Sequence, residues 1–213
     1  MKLFLNAVKY LLMGFGLIVL EQIPTVFITK NQPIWRVLAI SLALLIITGL
    51  VYYLAYRFKL VDYFKILRNP SAWKTIIIGI LALFLVKILG GIVLVLEHGA
   101  NANTSNQSVI ESLGMNPILL VILTVIVAPI VEEITCRGII QGLAFKNSYL
   151  GVLVSSLIFG GLHVPTDLGS WIIYGGMGLV LGLIYRKTQK LEYSMTIHFL
   201  NNALGVIFML LAM

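Results

Sequence analysis

Glu132 and Glu133 stand side by side in an otherwise apolar stretch, shortly after a run from Ile118 to Pro129 that holds no charged residue. A carboxylate near the middle of a bilayer costs about 2.5–3.5 kcal/mol even on lenient insertion scales, so two in succession need a reason. Arg137 lies four residues after Glu133, on the same helix face, and can form an ion pair with it. Because successive helical residues point in different directions, Glu132 is left free for proton transfer. A purely structural Glu–Arg ion pair is the alternative.

Two of the three histidines also lie in apolar segments, each with a partner one helical turn away. His163 follows Phe159 by four positions, and the pair encloses two glycines that allow close backbone approach. His198 precedes Asn202 by four positions, so the imidazole and the amide project from one helix face. An imidazole can exchange protons, and an amide can donate to a developing negative charge. A single buried histidine is more often a packed core residue, but this set on three helices predicts a functional site.

The composition places these groups in a membrane. The 213 residues are 60% apolar and 11% charged, whereas soluble domains average about 45–50% apolar and about 25% charged. We therefore predict an all-α fold, a polytopic membrane helical bundle that forms a single domain over residues 1–213. The net charge of +7 comes from basic residues between apolar segments. That arrangement is typical of membrane orientation, so no nucleic-acid partner is expected.

The apolar segments predict about seven transmembrane helices, each near the ~20 residues that cross the hydrocarbon core. An amphipathic helix over Leu60–Leu67 is expected to lie in the interface, and the Asn- and Ser-rich stretch Glu97–Asn116 is expected to be a mobile outer loop. The first apolar segment is interpreted as a retained span, not a removed signal peptide. The predicted spans are Leu3–Ile23, Ile34–Tyr56, Thr75–Leu96, Pro117–Phe145, Tyr149–His163, Trp171–Tyr185 and Tyr193–Leu211.

The lysines and arginines fix an expected orientation. Lys30 and Arg36 fall on one side of the predicted spans. The opposite side carries Lys2, Lys9, Arg57, Lys59, Lys65, Arg68, Lys74, Lys146, Arg186, Lys187 and Lys190. The positive-inside rule then places the N-terminus in the cytoplasm and the C-terminus outside. Lys87 lies within a span and needs a partner, and the counted depths predict Glu21.

The three motifs resemble those of the CPBP family, the CAAX-protease-like and bacteriocin-processing (Abi) membrane proteases, which include the type II CAAX prenyl endopeptidases. The resemblance covers residues 116–213, interpreted as a catalytic core that follows variable N-terminal spans in residues 1–96. It rests on Glu132-Glu133-x-x-x-Arg137, Phe159-x-x-x-His163 and His198-x-x-x-Asn202, which occur in the family's order.

The resemblance implies an intramembrane endopeptidase whose site opens toward the cytoplasmic half of the bilayer. Glu132 would activate water with assistance from His163, while Glu133 would support that site and His198 with Asn202 would stabilise the oxyanion. The implied catalytic residues are Glu132, Glu133, His163, His198 and Asn202, with Arg137 and Phe159 in support.

The resemblance leaves the cofactor open. Glu132, His163 and His198 could hold Zn²⁺ or another divalent metal with one position free, but the chain has no His-Glu-x-x-His pair and we favour no obligatory metal. A cysteine protease built on Cys136 is disfavoured, because that residue faces away from the Glu133 and Arg137 stripe.

The implied partners are the lipid bilayer and a membrane-associated substrate: a leader peptide, a peptide pheromone, a bacteriocin precursor or a CAAX-like protein. A bacterial plasma membrane is the expected location. Two other classes of function stay open. One is a non-catalytic immunity or scaffold protein, and the other is a proton-coupled transporter whose interior polar residues form a relay.

Overall fold

The computed structural model describes residues 2–62 and 65–211, with the side chains of residues 5–62 and 65–211. The two ends of the predicted 1–213 domain, and the last two residues of the predicted 116–213 core, therefore lie outside the described residues. Within the described ranges the chain is helical and contains no strand. The predicted all-α fold is confirmed.

Eight helices, numbered here in chain order, make up the described bundle. Helix α5 is continuous but contains two π-helical stretches, Val121–Val127 and Glu133–Ala144. Short 3₁₀ turns cover Pro24–Phe27 and Lys65–Arg68. The helices are α1 (Lys2–Gln22), α2 (Ile34–Arg57), α3 (Pro70–His98), α4 (Ser105–Ser112), α5 (Pro117–Ala144), α6 (Tyr149–Leu162), α7 (Leu168–Thr188) and α8 (Leu191–Leu211).

Six of these helices are long and apolar enough to cross a membrane: α1, α2, α3, α5, α7 and α8. The chain is thus a multi-pass integral membrane protein. The predicted fifth span is the short helix α6, which has 14 residues and falls ~9 Å short of a 20-residue span. It ends because His163 leaves helical geometry and Val164 adopts a positive φ of 48°.

Glycines let α7 pack closely between α3 and α6. A Cβ atom on Gly178 would lie 2.9 Å from the Cα atom of Ser156 in α6, and one on Gly169 would lie 2.6 Å from the backbone nitrogen of Leu94 in α3. Both distances are too short for any side chain. Small residues of this kind allow membrane helices to approach each other, and here they bring the backbone of α7 against the helices that carry the polar residues.

The predicted interfacial helix over Leu60–Leu67 is shorter in the structure. Leu60–Asp62 has no regular secondary structure and Lys65–Arg68 forms a single 3₁₀ turn, while Tyr63 and Phe64 lie outside the described residues. The backbone N–H of Asp62 donates a hydrogen bond to the buried side chain of Glu192 in α8. This long-range contact ties the segment to the bundle and replaces a helical hydrogen bond.

The predicted mobile loop Glu97–Asn116 contains helix α4, which packs on the bundle. The Thr104 hydroxyl caps the helix by accepting from the N–H of Gln107 at 3.2 Å. The same hydroxyl lies 2.8 Å from the Tyr174 hydroxyl of α7, and Ser105 contacts Thr166 at 2.8 Å. These contacts fasten α4 over one end of the bundle, so part of the expected loop is helical.

Candidate active site

A buried charge cluster occupies the point where α5, α7 and α8 meet. The Arg137 Nη1 atom donates to Glu133 Oε1 at 2.8 Å, and both side chains are fully buried. The Nη2 atom of Arg137 donates to the carbonyl of Gly178 at 3.0 Å. The predicted pair of Glu133 and Arg137 is therefore present, and one buried glutamate and one buried arginine neutralise each other.

His198 joins this cluster to the second glutamate. Its Nδ1 atom lies 3.1 Å from Glu133 Oε1, and its Nε2 atom lies 4.0 Å from Glu132 Oε2. An ionised carboxylate only accepts hydrogen bonds, so beside it Nδ1 is the protonated nitrogen and Nε2 faces Glu132. The two glutamates point in different directions, as expected, yet both lie beside the same imidazole ring. Glu133 is next to Nδ1 and Glu132 faces Nε2. The Glu132 side chain is 19% exposed, whereas that of Glu133 is fully buried.

Phe159 of α6 is the aromatic centre of the site and is completely buried. The Arg137 guanidinium carbon lies 4.4 Å from the centre of its ring, a distance suited to a cation–π contact. The rings of His198 and His163 lie 5.6 Å and 4.8 Å from it, centre to centre. Phe159 thus packs between the charge cluster and the second histidine and sets the distance between them.

His163 lies one helical turn beyond this layer. Its Nδ1 atom is 2.8 Å from the carbonyl oxygen of Phe159, and because a carbonyl only accepts, Nδ1 donates and Nε2 is left to accept a proton. The ring stacks on Tyr174 of α7 at 4.4 Å.

Asn202 is positioned by an irregularity in α5. The N–H of Ala128 donates to the carbonyl of Leu123, five residues back. The next residue, Pro129, has no N–H, so the carbonyl five residues before it, that of Thr124, lacks a helical donor. The Asn202 Nδ2 atom donates to this carbonyl at 2.8 Å. One amide hydrogen of Asn202 is used in this way, and the second remains to bind another acceptor.

Two cavities meet at His163. The first, about 290 Å³, is also lined by Tyr174, His198 and Asn202. The second, about 460 Å³, is also lined by Glu132. Four of the five predicted catalytic residues therefore line these adjoining spaces, with His163 bordering both, whereas Glu133 lines neither.

Both cavities lie at the end of the bundle that α4 covers, where α1 and α6 end and α7 begins. The opposite end gathers Asn6, Leu60, Lys146 and Gln189, next to the loops that carry most of the basic residues. Under the orientation that the positive-inside rule predicts, the cavities face the outer half of the bilayer. The cytoplasmic opening implied by the family resemblance does not agree with that orientation.

The three residues considered for a metal do not converge. Zinc holds each ligand atom about 2 Å away, so its ligand atoms lie within about 3.5 Å of one another. Glu132 and His198 approach to 4.0 Å, but His163 does not complete a cluster with them. Within the described part of the chain, one group of three or more His, Cys, Asp or Glu residues has ligand atoms that all lie within 4.8 Å of one another. It consists of Glu97, His98 and Asp167.

That last cluster has a structural explanation. The Glu97 carboxylate accepts from the N–H groups of Leu168 and Gly169 at 3.2 and 2.9 Å and caps α7. Asp167 caps the same helix through the N–H of Ser170 at 2.7 Å. Burial raises the pKa of this carboxyl, but the hydrogen bonds from Ser170 and Thr166 and the nearby His98 together lower it below its usual range.

Three residues around the cavities escaped the motif analysis. Tyr174 supports His163 and contacts α4, and Asn106 of α4 lines both cavities. Glu21, placed near an interface by its sequence position, is buried and lines the second cavity beside Glu132. The burial of Glu21 could have been found only from the packing of α1. The predicted pairing of Glu21 with Lys87 is wrong: Lys87 lines the first cavity, and the described residues show no ion pair between them.

Cys136 lies in an apolar cluster with Phe159 and Leu83, fully buried. A thiol in this position has no access to either cavity lining.

The fold and this centre define a class: a multi-pass membrane protein with a carboxylate–imidazole site between its helices. Residues 114–204 match the family described as type II CAAX prenyl endopeptidase Rce1-like. This part of the chain carries all three motifs, and its match to the family model confirms the resemblance stated from them.

The chain is also similar to curated bacterial proteins. It is 31% identical over 168 residues to UPF0177 protein YvdC of Lactococcus lactis, a match that covers 74% of this chain and 64% of that protein. It is 27% identical over 143 residues to the membrane-embedded CAAX protease MroQ of Staphylococcus aureus, covering 63% and 57%. The chain therefore spans less than two thirds of the length of these relatives. No solved structure matches it significantly.

Proposed function

We propose that the chain is an intramembrane endopeptidase that hydrolyses peptide bonds of membrane-associated peptides or proteins, with Glu132 activating the attacking water. The observation that carries this proposal is the placement of Glu132. Its carboxyl lies 4.0 Å from His198 Nε2 on a cavity wall, while the adjacent Glu133 is buried and paired with Arg137. The family match and the name of the Staphylococcus aureus relative support the same reaction class.

The steps follow from the donors and acceptors at the site. Glu132 takes a proton from water as the oxygen attacks the scissile carbonyl, and it returns the proton to the departing amine. His163 offers the Nε2 atom as a second proton acceptor beside the same cavity. The free amide hydrogen of Asn202, and His198 Nε2 when the ring carries both protons, donate to the oxyanion. Glu133, Arg137 and Phe159 hold the imidazole of His198 in place.

The membrane and the substrate belong to the same proposal. The chain lies in a bacterial plasma membrane with its N-terminus in the cytoplasm, supported by the basic loops and by relatives from Lactococcus and Staphylococcus. Its substrates are leader peptides, pheromone or bacteriocin precursors, or CAAX-like proteins that reach the site from the bilayer.

Mass spectrometry of membrane peptides from host cells with and without the protein tests this function. We expect peptides with new termini, cut within or next to apolar segments, only in cells that contain it. Identical peptide sets under conditions of confirmed expression would contradict the proposal and favour the immunity or scaffold alternative. Ion-dependent uptake by proteoliposomes without any peptide product would instead indicate a transporter.

A further inference from the structure

Lys87 is a cation on the inward face of a membrane helix. It shares a face of α3 with Leu83 and Leu94, which are buried, at spacings of four and seven residues. The intervening Gly90 packs so closely on α7 that an added Cβ would lie 2.5 Å from the Ile173 side chain. Lys87 therefore points into the bundle, where its stem is half-buried and its side chain lines the first cavity.

This ammonium group has no counter-ion in the described part of the chain. No hydrogen bond or ion pair joins Lys87 to any described residue. A lysine within a bilayer is costly unless it is paired, so an unpaired one beside a functional cavity is a candidate binding group.

The two cavities differ in charge. The lining of the first contains Lys87 and no aspartate or glutamate. The lining of the second contains Glu21 and Glu132 and no lysine or arginine. Because His163 borders both, a peptide that spans the two would have its negative group favoured in the first and its scissile bond beside the carboxyl in the second.

We propose that Lys87 is a specificity-determining residue that binds a carboxylate of the substrate and so fixes which peptide bond reaches Glu132. The carboxylate is either the free C-terminus of the peptide or an acidic side chain. This inference rests on the proposed function, because it assigns the substrate orientation at the same site.

Direct binding separates this inference from catalysis. The full chain carrying Glu132→Gln, purified in detergent, is titrated with three N-dansylated apolar heptapeptides while energy transfer from tryptophan is recorded. The first ends in a free carboxylate, the second in a carboxamide, and the third is the carboxamide with one internal glutamate. We expect a carboxylate-bearing peptide to bind about tenfold more tightly than the plain carboxamide, since hydrogen bonds to charged groups are stronger than neutral ones.

Substitutions at Lys87 provide the decisive comparison. Lys87→Met should abolish the preference and leave carboxamide binding unchanged, which also shows that the variant is folded, and Lys87→Arg should retain it. Lys74→Met removes the same charge from the exposed first turn of α3 and should have no effect. The inference is overturned by equal binding of all three peptides, by absence of binding, or by a preference that survives Lys87→Met.

Tighter binding of the first peptide would identify the free C-terminus as the carboxylate that Lys87 binds. Tighter binding of the third would identify an acidic side chain. Cleavage by the chain with native Glu132 is measured separately. Carboxylate preference without cleavage would contradict the proposed function and keep only carboxylate binding by Lys87, whereas cleavage without preference would overturn this inference and keep the proposed function.

Discussion

Replacement of Glu132 by glutamine should lower kcat/KM for peptide cleavage by about 10²–10⁴-fold, the usual contribution of a general base. Glutamine retains the shape of the side chain but cannot take a proton from water. The ion pair of Glu133 with Arg137 does not involve this group, so membrane insertion and folding should be unchanged. The measurement is the initial rate of cleavage, in proteoliposomes, of a peptide identified in host membranes.

The matched control is Glu111→Gln. Glu111 lies on α4, exposed, and among the described residues its side chain accepts hydrogen bonds only from Asn103 and Gln107. The same chemical change there should leave the cleavage rate within about twofold of the original, since surface changes of this kind have small effects. Cleavage by Glu132→Gln at a rate similar to that of the control would show that another group activates the water.

The second large effect is expected on stability. Arg137→Met should lower the free energy of unfolding by about 3–5 kcal/mol, because it leaves the fully buried Glu133 carboxylate without its cation. It also removes the donor to the carbonyl of Gly178. Equilibrium unfolding in mixed detergent micelles measures the change.

A double-mutant cycle attributes this loss to the charge pair. Glu133→Gln alone should also destabilise the protein, since it leaves a buried guanidinium without its counter-ion. The double variant with Arg137→Met should then be more stable than the sum of the two losses predicts, by about 0.5–3 kcal/mol, because neither charge is stranded. Strict additivity would mean that the two side chains act independently and that the ion pair has no energetic importance.

Contacts within a single helix could be predicted from the sequence. Residues four apart share a face whatever the tertiary fold, and the contacts of Glu133 with Arg137 and of Phe159 with His163 followed from spacing alone. The polytopic helical class followed from composition, because a chain that spans a bilayer must satisfy its backbone hydrogen bonds internally. The motifs then indicated the family whose model residues 114–204 match.

Contacts between helices could not be obtained in this way, because they depend on rotation and depth. Lys87 and Glu21 are matched by counted depth but face different cavities. The hydrogen bond of Asn202 to Thr124 requires the π-helical stretch before Pro129, for which a uniform helix count makes no allowance. Likewise the polar composition of α4 indicated a loop, and only its distant partner Tyr174 shows why it is ordered.

The burial of Cys136 has a practical consequence for mapping the protein in living cells. It is the chain's single cysteine and has no accessible surface, so water-soluble maleimides should leave the native protein unlabelled. A cysteine introduced at the exposed Ser108 of α4, or at the exposed Lys187 at the other end, would be the one reactive thiol. An impermeant reagent applied to intact cells should mark only the Ser108 variant, which would assign the cavity end of the bundle to the outer surface.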